Sequence, residues 1–297
     1  MPGRAAGPTV MRQAEPVPLR SPPLRVLSDA DMPAARRLLG QHLLEGLFVA
    51  SRIDAAGLDA RRLGAEIWGF GRGGELSALC YSGVNMWPVG ADRDAARAFA
   101  EQARRAARRC SSIVGEASAV LRMWEALARD WGPARDVRED QPLLAIAGDP
   151  RVPADPAVRR VRPDELDILL PASVSMFTEE VGISPIGPDG GALYRARVAE
   201  LVGQQRSFAR IENGRVLFKA EVGAATRAGC QVQGVWVAPE LRGRGRGAAG
   251  MAAVVRAARA SIAPVVSLYV NAFNIAARRM YDRVGFERVG TFASVLF

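Results

Sequence analysis

Histidine is almost missing from this chain: His42 stands alone among 297 residues. That excludes a histidine-built metal site and a Ser-His-Asp triad, so no metal is expected. Cysteine is scarce as well. Cys80, Cys110 and Cys230 are odd in number and widely spaced, which excludes a disulfide framework and points to a reducing cytoplasm. No apolar run approaches the roughly 18 residues of a membrane span, so no membrane partner is expected. Residues 1–23 contain Pro2, Pro8, Pro16, Pro18, Pro22 and Pro23 and no apolar core of a signal peptide, and they read as a disordered tail. Lysine is as rare as histidine. Lys219 is the only one, although basic residues number 40 and the net charge is +9. Such a bias toward arginine reads as a GC-rich codon preference rather than a basic stripe. Arg104, Arg105, Arg108 and Arg109 fall on one solvated helix face, and no aromatic-rich RNA motif accompanies them. Nucleic acid is therefore not the expected partner.

What is present allows about two domains, with 49% hydrophobic residues to build their cores. Gly148–Pro156 carries Pro150, Pro153 and Pro156 and reads as a linker over 148–157. It separates an N-terminal domain, 24–147, from a C-terminal one, 158–297. The second half reads as a strand at Val158–Arg162 and helices at Asp164–Phe177 and Leu193–Val202. Strands at Ser207–Ile211 and Val216–Val222 follow, joined by an Asn213-Gly214 hairpin turn. A last strand pair is expected over Glu287–Phe297. The first half repeats this order faintly, with a Gly71–Gly74 turn, a long helix near Asp92–Arg109 and a helix at Ala117–Arg129. Arg25-Val-Leu-Ser28-Asp29 echoes Arg160-Val-Arg-Pro163-Asp164, and Arg122-Met-Trp124 echoes Arg279-Met-Tyr281.

The most informative stretch is 232–247. The apolar run Val232–Val237 predicts a strand. A turn with Pro239 follows, then Arg242-Gly-Arg-Gly245-Arg-Gly247 and a helix over Ala248–Ala260. A glycine-rich turn opening a helix aims several backbone N–H groups at one spot, and the helix dipole adds positive charge there. That is a seat for a pyrophosphate. Gly245-x-Gly247-x-x-Gly250 also fits the dinucleotide fingerprint, but seven residues part Val237 from Gly245, and Asn271 stands where an acidic ribose ligand is expected. Downstream, Val265–Val270 reads as a strand. It is followed by Asn274-x-x-Ala277-x-x-x-Tyr281 and Gly285-Phe286, in which Asn274 suits a helix cap and Gly285 a helix end.

The R-x-x-G-x-G loop (Arg242, Gly245, Gly247) with the Asn274–Tyr281 block resembles the GCN5-related N-acetyltransferases, the GNAT superfamily. The resemblance is specific over about residues 206–292. It implies an α/β (α+β) fold of two GNAT-like domains, each a mixed, mostly antiparallel sheet flanked by helices. The N-terminal domain reads as a degenerate copy that has lost the cofactor, with an unrelated α/β domain as the alternative. Asp92 and Asp94 stand where a pyrophosphate would sit, and Trp124 stands where the tyrosine would be. The resemblance further implies acetyl-CoA as co-substrate and a primary amine, on a small molecule or a protein, that attacks its thioester in a ternary complex. Gly243, Arg244, Gly245, Arg246 and Gly247 would hold the pyrophosphate, with Arg242 beside them. Val235–Val237 would pair with the pantetheine arm, the Val235 N–H would polarise the thioester carbonyl, and Asn274 would support the arm or the loop. Tyr281 would protonate the leaving thiolate.

The base departs from the better-known members. Gln231 and Gln233 occupy the ligand strand. Glu221, on the neighbouring strand, is the best carboxylate, with a surface ion pair to Lys219 as its plain alternative. Glu179 and Glu180 fall where the acceptor mouth is built and would suit a cationic amine. An acyl-CoA-binding scaffold without turnover is the competing reading. The acceptor, the acyl length and a homodimer stay open.

Overall fold

The computed structural model describes residues 24–72, 75–106 and 108–297. The tail expected to be disordered, 1–23, and the tip of the Gly71–Gly74 turn lie outside the described residues. The first half runs β1 (Leu24–Val26), α1 (Met32–Gln41), α2 (Leu47–Ala56), α3 (Ala60–Leu63), β2 (Glu66–Arg72), β3 (Glu75–Ser82), β4 (Asn85–Val89), α4 (Arg93–Arg105), β5 (Ser112–Glu116), α5 (Ala117–Trp131) and β6 (Asp136–Ile146). The second half repeats it: β7 (Arg159–Arg160), α6 (Leu166–Val181), α7 (Ala192–Gly203), β8 (Ser207–Glu212), β9 (Arg215–Ala225), β10 (Gly229–Val237), α8 (Arg246–Ser261), β11 (Val265–Tyr269), α9 (Ile275–Val284) and β12 (Glu287–Leu296). Asn213 and Gly214, both at positive φ (49° and 71°), turn β8 into β9, as a two-residue hairpin requires.

Among the described residues, twelve strands join one sheet in the order β1-β2-β3-β4-β5-β12-β6-β11-β10-β9-β8-β7. Among these described pairs only β4–β5 and β10–β11 are parallel. The order reads nearly the same from either end, except that the two terminal strands have changed places. β6, from the first half, pairs with β11 (Ile146 opposite Val266), and β12 pairs with β5 (Leu296 opposite Ser112). The expected strand pair at 287–297 is thus one long strand. Its residues are apolar on both faces: Phe292 joins the core under α1–α3, while Ala293 and Val295 join the core under α4 and α5. A strand buried on both faces needs a neighbour on each edge, and β5 and β6 provide them.

Helices cover both faces of each half. On the second half, α8 and α9 pack Met251, Val254, Val255, Tyr281 and Val284 against Phe208, Phe218, Val222, Val232 and Leu268. On the other face, α6 and α7 place Leu169, Ala172, Val198 and Val202 against Ala209 and Val216. Helix α2 reaches across the seam, where the Ala225 N–H donates to Ser51 Oγ at 3.2 Å.

Candidate functional site

Strands β10 and β11 are hydrogen-bonded only over Gly229–Gln231 and Val265–Ser267. Beyond that β10 continues to Val237 paired with β9 only. Its register with β9 skips Gly234 and Val235, and Gly234 sits at φ +60°. This bulge bends the strand and leaves a gap between it and its parallel neighbour. A single turn of 3-10 helix, Pro239–Leu241, leads to the glycine loop. Gly243 (φ +75°) and Gly245 (φ +76°) are left-handed, and a Cβ at either would meet nothing within 4 Å. Gly245 is the N-cap of α8, and no side chain caps that helix. By contrast Asp92 caps α4, accepting from the Ala95 N–H at 2.9 Å, and Asn274 caps α9, accepting from the Ala277 N–H at 3.1 Å. The start of α8 therefore offers its first N–H groups to a ligand. Arg244 and Arg246 are exposed beside it. The other two glycines serve packing. A Cβ at Gly247 would stand 3.3 Å from Val237 Cγ2, and one at Gly250 only 2.7 Å from the Phe218 ring.

Arg242 is placed differently from its loop neighbours. Its guanidinium binds Glu179 at 2.8 Å and the Val237 carbonyl at 3.0 Å, and Trp236 Nε1 donates to the same carboxylate at 3.1 Å. Glu179 thus ties the end of α6 to the glycine loop. Glu180 is also engaged: Asn271 Nδ2 donates to it at 2.8 Å and Arg138, from β6, approaches at 3.3 Å. Gln141 of β6 donates to Asn271 at 2.8 Å and accepts from Ser294 of β12 at 2.6 Å. Both expected acceptor carboxylates are held by arginines, which the sequence could not reveal, since Arg138 lies 42 residues away from Glu180.

Tyr281 is buried against Phe286, ring centroids 5.7 Å apart, in the core that Val235 and Val237 flank. Its hydroxyl has no hydrogen-bond partner among the described residues. Burial, and then the charge of Glu180, push its ionisation well above the ordinary tyrosine range. It keeps its proton at any ordinary pH, as a proton donor must. Glu221, the sequence's best carboxylate, is not in the surface pair that was its plain alternative. It is 7% exposed, and its carboxylate meets Lys219 Nζ at 3.1 Å and Gln233 Nε2 at 3.1 Å. Helices α6 and α7 pack over this face of β9 and make it interior. A Cβ at Gly234 would stand 3.1 Å from both members of the pair, so the bulge lies directly on them.

Among the described residues, the first half has no such opening. There β4 and β5 also pair over two residues only, Asn85–Met86 with Ser112–Ile113. But Asp92 fills the helix start, a Cβ at Gly115 would stand 3.1 Å from the Pro88 carbonyl, and Trp124 packs on Phe297 at 5.6 Å.

Two family models match parts of the chain. Residues 65–169 match a domain of unknown function, DUF4081, and residues 200–286 match the acetyltransferase (GNAT) family. No curated protein matches the chain in sequence. In fold it is similar to a GCN5-related N-acetyltransferase from Sphaerobacter thermophilus (19% identity, 92% of this chain and 95% of that one, TM-score 0.57). It is also similar to a GNAT-family acetyltransferase from Colwellia psychrerythraea (14%, 92% and 99%, TM-score 0.52) and to a Drosophila protein (14%, 93% and 98%, TM-score 0.63). The second half thus holds a segment similar to the GNAT acetyltransferases, and the first half one similar to a domain of unknown function.

Proposed function

We propose that the chain transfers an acetyl group from acetyl-CoA to a primary amine by direct attack. One observation carries this reading: an uncapped helix start with two open, left-handed glycines, at the end of a strand that has parted from its parallel neighbour. The N–H groups of Gly243 to Gly247 then hold the pyrophosphate, with Arg244 and Arg246 adding charge. Arg242 serves the loop through Glu179 rather than the phosphates. The freed edge of β10, Val235 to Val237, pairs with the pantetheine arm as an added strand would. The Val235 N–H, in the bulge, faces the thioester oxygen and stabilises the charge that develops there. The amine nitrogen bonds to the acetyl carbon and the carbon–sulfur bond breaks. Tyr281 gives its phenolic proton to the departing sulfur, and Glu221 takes the proton that the amine loses. Asn274 holds the start of α9, and with it the position of Tyr281. No group of three or more metal-ligating side chains occurs among the described residues, and none of these steps uses a metal.

The test is calorimetry of the intact chain with acetyl-CoA, followed by a screen of primary amines that reads thiol release. Saturable binding with amine-dependent release is expected, and a chain that binds no acetyl-CoA refutes the site. A second reading, binding without turnover, is favoured by one feature: Glu221 is already engaged by Lys219. Tight binding with no release across the amine panel would decide for it. The three cysteines are buried free thiols, with Cys110 pushed up to about 11 and Cys230 to about 12 by burial. They support the cytoplasm as its place, and no described helix is long and apolar enough to cross a membrane.

A further inference from the structure

Lys219 is the single lysine of a chain that writes every other cation as arginine. It is also fully buried, 0% exposed, a place lysine almost never takes without a purpose. The two cations are not interchangeable: an ammonium is a compact point charge, a guanidinium a wide planar fork. The slot at 219 is narrow. Its Nζ lies 3.1 Å from the Glu221 carboxylate and 3.1 Å from where a Cβ at Gly234 would be, and Trp236 stands opposite on β10.

The surroundings of this pair are polar and incompletely satisfied. Ser207 lies directly opposite Glu221 in the β8–β9 register, and its buried hydroxyl has no partner among the described residues. Ser173, on α6, is 0% exposed and its hydroxyl is also without a partner, while its carbonyl accepts from Tyr194 of α7 at 2.8 Å. Gln231 Nε2, two residues before Gln233 on the same strand, is a third such atom. Tyr194, whose hydroxyl is bonded to Ser173, is pushed up by burial and by the charge of Glu221. Buried polar groups are rarely left unpaired, and ordered water is the usual partner.

Building on the proposed acetyl transfer, we infer that Lys219 is a positioning residue: its ammonium holds the Glu221 carboxylate, ionised, under the Gly234–Val235 bulge, and the hydroxyls of Ser173 and Ser207 hold ordered water that links this carboxylate to the attacking amine. The amine nitrogen gives one proton to the water, the water gives one to Glu221, and Lys219 keeps all three of its own. The other ionisable groups facing the pair are Tyr194 on α7, neutral at working pH, and Glu179 at the end of α6, bound to Arg242 behind Trp236. Among the described residues, Lys219 is the one cation in salt-bridge contact with Glu221.

The test uses the full chain, acetyl-CoA, and the primary amine that gives the fastest thiol release. Lys219→Met should leave the dissociation constant for acetyl-CoA within about twofold, since no residue of the glycine loop is touched. Turnover at neutral pH should fall roughly 10²-fold or more, the scale of a positioned base. A buried carboxylate without its cation takes up a proton more readily, so the acidic limb of the pH–rate profile should move to higher pH and the loss should shrink as pH rises. The double variant Lys219→Met/Glu221→Gln should be no slower than Glu221→Gln, because both act through one carboxylate. An unchanged pH profile, or losses that simply multiply, overturns the inference. Should Lys219→Met not fold, a high-resolution crystal structure of the unmodified chain decides. Ordered water is expected within hydrogen-bond distance of the Ser173 and Ser207 hydroxyls, and a dry pocket overturns it. An unmodified chain that binds no acetyl-CoA would instead fail the proposed function, and the crystallographic water would still judge the chamber.

Discussion

Tyr281 has a buried ring and a hydroxyl without a protein partner, so removing that one oxygen is a clean experiment. Tyr281→Phe should keep the fold and the affinity for acetyl-CoA while turnover falls by roughly 10²–10⁴-fold. An unchanged rate would make the side chain a packing residue. Gly245→Glu should abolish acetyl-CoA binding in calorimetry. The site is open, but the new side chain must adopt φ +76° and brings a negative charge to the start of α8. The loop was readable from sequence because its chemistry is its spacing: glycines where backbone must be bare, ahead of a helix. Glu221 was not. Lys219-Ala-Glu221 on a strand looks like an exposed polar stripe, and only the packing of α6 and α7 turns it inward. Asn274 was readable as a cap, whereas the Asn271–Gln141 bond joins residues 130 apart and left no local trace.

Both halves open with the same small device. After β1, Arg25 donates to Asp31 at 2.6 Å while the Ser28 N–H donates to that carboxylate at 2.9 Å. After β7, Arg159 and the Arg162 N–H hold Glu165 in the same way, at 2.6 and 2.9 Å. The sequence echo of Arg25–Asp29 in Arg160–Asp164 is one residue out of step with this device, which sets Arg25, Ser28 and Asp31 against Arg159, Arg162 and Glu165. Arg159 holds the buried Glu165 carboxyl far down, at about 2 against an ordinary 4.5. A lowered folded-state value contributes stability that is complete above about pH 4.5 and is lost as pH falls toward 2. Thermal melts should therefore show a steeper loss of Tm below pH 4.5 in the unmodified chain than in Glu165→Gln. Asn274→Ala removes the cap of α9 and should cost about 1 kcal/mol by denaturant titration. Strand β6 escaped the sequence reading because Pro142 sits inside it and proline argues against a central strand. The sheet tolerates it where β12 shifts register on either side, between Arg288 and Gly290 and between Phe292 and Ser294.

At the scale of the molecule, the exchanged strands tie the two halves together. β11, which borders the proposed pantetheine gap, has its outer edge covered by β6, and Arg138 and Gln141 on β6 reach Glu180 and Asn271 near Tyr281. The second half alone would keep β12 without either of its partners and leave β11 with a bare edge, and bare edges recruit other chains. Residues 148–297 expressed by themselves should self-associate in sedimentation experiments, while the intact chain binds one acetyl-CoA, not two. A monomeric fragment with full affinity would show that β6 is dispensable to the site.

The same exchange governs how the chain comes into being. A ribosome releases β5 long before β12, and the contact that joins Ser294 to Gln141 spans 153 residues. Until the last strand emerges, the nascent first half carries an unfinished sheet edge with Ile113 and Val114 beside it, the kind of surface that holdase chaperones cover. Translation that stops short of residue 287 thus leaves both halves incomplete, and clearance of truncated chains by cellular proteases becomes an all-or-none matter.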